Sequence, residues 1–269
     1  MKHTSSSLLI IALAVSCHAS SISVNFNISG NDNNAVNNDE TATSIAAGAN
    51  WNNINLGTAE GSVGIAFDGT SLVDDTNANA ATLNTTIGAG AGFIEWHDVT
   101  TGAARGTQGE AGLMQSSLNF GGAVPAETLT VNGLGGDFIA DGYSVYLYFE
   151  FNATSARTYG FTIDDGSTAS TYWTNDGIGE VSDPDDDGLM TWTQATGTTS
   201  GTATVNGNYM VHTGMSGSSF TITGVTTSGR AVLSGFQVVS NPVPEPSSAA
   251  LLGLGGLALI QRRRKQSII

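Results

Sequence analysis

Three groups of residues have the types and spacing to do chemistry. Asp183, Asp185 and Asp187 stand at alternate positions ahead of Gly188. Carboxylates at that spacing, followed by a glycine turn, supply the hard oxygen ligands that open a calcium loop. A complete EF-hand loop needs a carboxylate eleven positions after its first ligand. Gln194 stands there instead. Two readings remain, a Ca2+ site and a solvated acidic turn. The second group is aromatic. Tyr146 and Tyr148 share one face of an alternating segment, and Trp173 lies beside Asn175 and Asp176 in a polar stretch. With Trp51, Trp96, Trp192 and Tyr172, these rings could stack on the apolar faces of sugars. The competing reading for Tyr146 and Tyr148 is core packing, with both faces of their strand buried. The third group is Glu95, Trp96, His97 and Asp98. On a strand, Glu95 and His97 would share a face, and a carboxylate–imidazole pair can move protons. A glycosidase needs two carboxylates facing across a cleft. Glu95, Glu150 and many Asp residues qualify by type, but no spacing selects a pair. There is no G-x-S-x-G elbow and no H-E-x-x-H run, so no catalytic residue is assigned.

Charge narrows the partners further. The chain has 269 residues, with only 12% charged and a formal net charge of −15. Lys2, Arg262, Arg263, Arg264 and Lys265 lie at the two ends. Residues 20–246 hold Arg105, Arg157 and Arg230, no lysine and all 23 carboxylates, a net of −20. Such a body repels nucleic acid and anionic lipid. It has no lysine for a P-loop or a Schiff base. The single Cys17 allows neither an internal disulfide nor a zinc–cysteine site.

These residues must be positioned by strands. Ile22, Val24, Phe26 and Ile28 alternate with polar residues. So do Val63, Ile65 and Phe67, then Leu129 and Val131. Tyr143, Val145, Leu147, Phe149 and Phe151 form the longest series, and Phe220, Ile222, Val232, Phe236 and Val238 follow. Period-two patterning marks half-buried strands. Breaks rich in Gly, Asn, Asp and Ser separate them, which favours a sandwich or barrel. Residues 110–118, carrying Leu113, Met114 and Leu118, predict one short helix ended by Gly121 and Gly122. No linker or repeat divides the middle. The expected fold is all-β, a single β-sandwich over residues 20–240.

The two ends read as addresses. Lys2, a serine-rich spacer, the apolar residues 8–15 and then small residues make a secretory signal peptide over 1–19, cleaved after Ala19. Lipidation at Cys17 fits less well, because Ala14 stands where a lipoprotein box carries Leu. At the other end, a linker over 241–246 carries Pro244, Glu245 and Pro246. Apolar residues 249–260 and the cations Arg262, Arg263, Arg264 and Lys265 follow. Twelve helical residues span about 18 Å, short of the roughly 30 Å hydrocarbon core. Residues 247–269 reach across only with Ser247, Ser248 and Gln261 drawn in and the arginines snorkelling to the cytoplasmic side.

Pro244-Glu245-Pro246, the apolar segment and the arginine cluster together resemble a PEP-CTERM sorting signal. The resemblance implies export, passage through the inner membrane on the C-terminal helix, and recognition by an exosortase. It implies cleavage next to the PEP motif and release to the cell surface or an extracellular matrix. The body resembles a group of exosortase-tailed proteins through residues 22–26, 112–118, 142–149, 193–197, 208–220 and 230–239. That likeness implies a jelly-roll sandwich similar to galactose-binding-like and carbohydrate-binding domains, and it transfers no catalytic residue. The functional expectation is therefore a non-catalytic structural or adhesive surface protein. A carbohydrate-binding module, with or without calcium, is the alternative, and a glycoside-active enzyme stands third.

Overall fold

In an extended chain, successive side chains point to opposite faces, so an alternating apolar pattern becomes a sheet with one buried face. The computed structural model of the chain follows that rule. It describes residues 19–27, 45–46, 49–55, 69–85, 93–96, 113, 116–121, 128–149, 156–176, 191–227 and 229–241. The chain divides into two units, Ser20–Asn241 on the one hand and Met1–Ala19 with Pro242–Ile269 on the other. The signal-peptide reading over residues 1–18 and the acidic run 183–187 lie outside the described residues. So do His97 and everything from Pro242 onward.

Four antiparallel pairs are nested like a folded ribbon. The outermost joins β1 (Ser21–Asn27) to β15 (Gly235–Ser240), with Ser23 opposite Gln237. Next, β7 (Thr128–Asn132) pairs with β13 (Ser219–Thr226). Then β8 (Tyr143–Tyr148) pairs with β12 (Tyr209–Met215). Innermost is the hairpin of β9 (Arg157–Asp164) and β10 (Ala169–Asp176). The ribbon rolls up because β15 also pairs with β8, and β13 with β9. The result is β12-β8-β15-β1 in one sheet and β10-β9-β13-β7 in the other. That is the jelly-roll order, two interlocked Greek keys facing each other.

The remaining strands extend this frame. A short β2 (Asn52–Asn55) adds in parallel to β1. At the far edge of the other sheet lie β4 (Asn79–Thr85) and β3 (Thr70–Val73), and β11 (Thr204–Val205) borders β10. A third sheet joins β14 (Arg230–Leu233), β6 (Ser116–Gly121) and β5 (Phe93–Trp96). The expected short helix at 110–118 is only partly realised. Leu113 is helical, but Ser116–Gly121 is strand, because Leu118 and Phe120 are buried at strand spacing. A helical turn, α1 (Asp137–Ala140), leads into β8. Residues 63–67, expected as a strand, lie outside the described residues.

The inner faces meet in one core. Tyr143, Val145 and Leu147 of β8 and Phe236 and Val238 of β15 are fully buried. So are Phe161 and Ile163 of β9 and Ile222 of β13. Each such side chain contributes about 1.5–3 kcal/mol by leaving water. Aromatic rings lock the sheets together. Phe220 meets Phe236 at 6.4 Å and 87°, and Phe149 meets Phe161 at 5.7 Å. The third sheet docks through Phe120, whose ring stands edge-on to Phe161 at 5.6 Å. This docking needs Gly224 on β13, where any Cβ would press into the Cβ and Cγ of Phe120. Gly224→Val is expected to destabilise by about 1–3 kcal/mol through overpacking. Urea denaturation checks this, and an unchanged midpoint would mean β6 does not cross β13 closely.

Polar side chains stitch the edges. The Asn52 amide donates to Ser23 O and Val73 O and accepts from Val73 N at 2.8 Å, joining β1, β2 and β3. The two ends of the sandwich chain meet, with Ser240 N donating to Ser20 O at 2.9 Å. At the β9–β10 turn, Asp165 holds two loops at once. Its Oδ1 accepts from Ser167 N, Ser167 Oγ and Thr168 N, and its Oδ2 from Ser216 N and Gly217 N at 2.8 and 3.0 Å. Gly217 permits this approach, since a Cβ there would lie 2.5 Å from Asp165 O.

Candidate functional site

The outer face of a sandwich sheet is normally polar and solvated. The outer face of the five-stranded sheet is not. Tyr143, Val145 and Leu147 of β8 point into the core, so Ser144, Tyr146 and Tyr148 point outward. Register then brings β12 alongside, with Tyr209 opposite Tyr148 and Val211 opposite Tyr146. Next to them on β15 sits Gln237, opposite Tyr146, and beyond it Ser23 of β1. Residues 193–195 lie against the start of β12. Thr193 O accepts from Asn208 N, and Ala195 N donates to Tyr209 O at 2.8 Å. This places Trp192 over the face. Its ring is edge-on to Tyr148 at 5.3 Å and 63°, and to Tyr209 at 6.1 Å and 88°.

The face has a covered part and an open part. Trp51, Leu113 and Tyr148 are buried together. Ser23, Asn25 and Gln237 beside them are fully buried too. There Tyr148 Oη donates to Gln237 Oε1 at 2.6 Å, and Gln237 Nε2 donates to Ser23 Oγ at 2.9 Å. Tyr146, Trp192 and Tyr209 pack against this cluster while staying half-exposed. They form the open aromatic patch. Two indole donors, Trp51 Nε1 and Trp192 Nε1, are buried with no hydrogen-bond partner. Leaving such a donor unsatisfied costs about 1–3 kcal/mol, so each calls for an explanation.

A second polar feature lies between the sheets. His212 of β12 is fully buried. Its Nδ1 lies 2.7 Å from Ser170 Oγ of β10, and its ring is 4.9 Å from that of Tyr172. Its Nε2 has no partner. Burial disfavours the imidazolium and lowers the pKa to about 4. The serine contacts Nδ1, and no carboxylate orients the other nitrogen. The arrangement therefore holds β12 against β10 and lacks the orienting group of an activated nucleophile.

The sequence-derived aromatic set separates in three dimensions. Tyr146 is on the open patch as its strand face required. Tyr148 corrects the expectation of a sugar-stacking ring: it is fully buried, because Trp192, Trp51 and Leu113 close over it. Trp173 is half-buried on the other sheet. Tyr172 points inward toward His212, so Trp173 points outward, away from the Tyr146 patch. No single platform of Trp173, Tyr146 and Tyr148 exists. Trp192 and Tyr209 complete the patch instead. The alternation of Tyr209 and Val211 with Met210 and His212 was the signal that could have placed Tyr209. Trp192 was among the stacking rings the sequence offered, but nothing in its spacing placed it beside Tyr146.

For metals, no cluster of three or more His, Cys, Asp or Glu side chains occurs among the described residues. Glu95 lies on β5, with Ser117 opposite. No helix among the described residues is long and apolar enough to cross a membrane.

The described body is an all-β sandwich with a polar–aromatic outer face, and its destination is written elsewhere in the chain. Residues 242–265 match the family model of the PEP-CTERM protein-sorting motif. The chain is thus an exported protein whose membrane-anchored precursor is a substrate for exosortase. The match covers the tail and leaves the sandwich outside it. No curated protein matches the chain.

Proposed function

We propose that the exported chain is a non-catalytic, adhesive component of the cell surface or an extracellular matrix, and that it holds polysaccharide on its aromatic patch. The observation that carries this reading is the half-exposed aromatic patch of Tyr146, Trp192 and Tyr209 on the outer face of the sheet. Open rings flanked by hydroxyl side chains suit a sugar, which offers apolar ring faces and polar oxygens. Export supports it as well, since the tail sends the body to where such polymers lie. The partners on this route are the secretion machinery, exosortase and the inner membrane, held transiently by residues 247–269.

A glycan array with the purified chain, run with Ca2+ and again with EDTA, tests the proposal. Binding that persists in EDTA is expected. Trp192→Ala should weaken it by about 2 kcal/mol, roughly 30-fold, as truncation of an anchor aromatic does. Trp173→Ala, on the other sheet, should leave it unchanged. Binding that EDTA abolishes would move the site to Asp183, Asp185 and Asp187. No binding in either condition would remove the adhesive reading of the patch.

A further inference from the structure

We infer that the patch takes an uncharged polysaccharide and rejects acidic ones; this rests on the polysaccharide-binding reading above. The elements that build the patch are β8, β12 and residues 191–197. None of them contains an Asp, Glu, Lys or Arg. Their outward side chains are hydroxyls, rings and one aliphatic group, namely Ser144, Tyr146, Trp192, Tyr209, Val211 and Thr213, and none is charged. A carboxylate or sulfate on a polymer would find no cation among the described residues of the patch to offset its desolvation.

The body around the patch makes this stricter. Residues 20–246 carry a net of −20, so a polyanion is repelled before it arrives. Of the body's three arginines, Arg157 opens β9 and Arg230 opens β14, both in other sheets, and Arg105 lies outside the described residues. A neutral polymer meets no such barrier. It can stack on Tyr146 and Trp192 and offer its oxygens to the hydroxyl donors beside them. Because no charge is paired in that contact, its strength should not respond to salt.

Affinity electrophoresis of the full chain separates the outcomes. Neutral glucan and galactomannan form one set of gels, and alginate and polygalacturonate the other. Each is run with EDTA and with Ca2+, at about 50 and 500 mM NaCl, where screening differs several-fold. Retardation by a neutral polymer, equal at both salts, about tenfold weaker in Tyr146→Ala and about 30-fold weaker in Trp192→Ala, is expected. Both variants must keep the parent's thermal transition. Retardation by the acidic polymers alone would overturn the neutrality and leave the polysaccharide reading standing. No retardation by either set would overturn both.

Discussion

Asp165→Ala is expected to lower the stability of the sandwich by about 3 kcal/mol, which for a body of this size is a fall of roughly 8 °C in Tm. Few single carboxylates in the fold do as much. Asp165 accepts four backbone N–H bonds, two from its own turn and two from the loop between β12 and β13. Removing it takes the acceptor from all four donors at once, two of them, Thr168 N and Gly217 N, in part-buried positions. Tyr143 adds to the corner by donating to Gly217 O at 3.0 Å. Burial and the Asp165 charge both push the Tyr143 hydroxyl above its ordinary pKa, so it remains a donor at any working pH. Burial alone would raise the pKa of Asp165. The N–H groups of Ser216, Thr168, Gly217 and Ser167 outweigh that and hold its carboxyl well below the usual carboxylate range. A carboxyl depressed in the fold stabilises it above its unfolded pKa of about 3.9 and stops doing so as pH falls below that. Asp165→Asn keeps the shape without the charge and should lose about half as much, because one of its Oδ acceptors becomes a donor. Thermal melts of both variants measure the effect. A loss under about 0.5 kcal/mol for Asp165→Ala would mean the two loops are held by other contacts.

The second large effect comes from acid acting on His212. A histidine depressed from 6.5 to about 4 stays neutral in the fold while the unfolded chain takes up a proton. Stability is therefore complete above pH 6.5 and declines as pH falls toward 4. A full shift of that size corresponds to at most about 3 kcal/mol. Asp165 and Asp74 act lower, since both are depressed below the ordinary carboxylate value. The window between pH 4 and 6.5 thus isolates the imidazole from them. His212→Leu should flatten the decline in that window. At neutral pH it should stay within about 1 kcal/mol of the parent, because losing the Ser170 bond is offset by removing the unpartnered Nε2. Urea midpoints at pH 7 and pH 4.5 decide the matter. A parent chain equally stable at both would mean His212 is hydrated or charged in the fold.

Much of the frame was legible because the strand pattern is local. Ile22, Val24 and Phe26, or Tyr143, Val145 and Leu147, declare an inward face by spacing alone. The hairpin of β9 and β10 was harder to see, since Gly160 and a run of threonines and serines dilute its alternation. Residues 110–118 misled because Leu113 and Leu118 fit a helix as well as two separate elements. Short apolar runs do not distinguish the two. At the candidate site, Tyr146 and Tyr148 could be assigned to one face from sequence. Which of them meets solvent depended on Trp192, Trp51 and Leu113, which are far from them along the chain.

The sequence alone determined the route and the class. The PEP motif, apolar segment and arginine cluster are contiguous, so the sorting signal is complete within residues 242–265 and needs no fold to be recognised. The all-β character and the acidic, lysine-free body follow from composition and period in the same way. The tertiary structure alone decided the jelly-roll pairing, the separation of Trp173 from Tyr146, and the burial of Tyr148 and His212. The physical reason is distance along the chain. Ser23 meets Gln237, and Trp192 meets Tyr148, only when the nested ribbon closes and brings remote strands to hydrogen-bonding range.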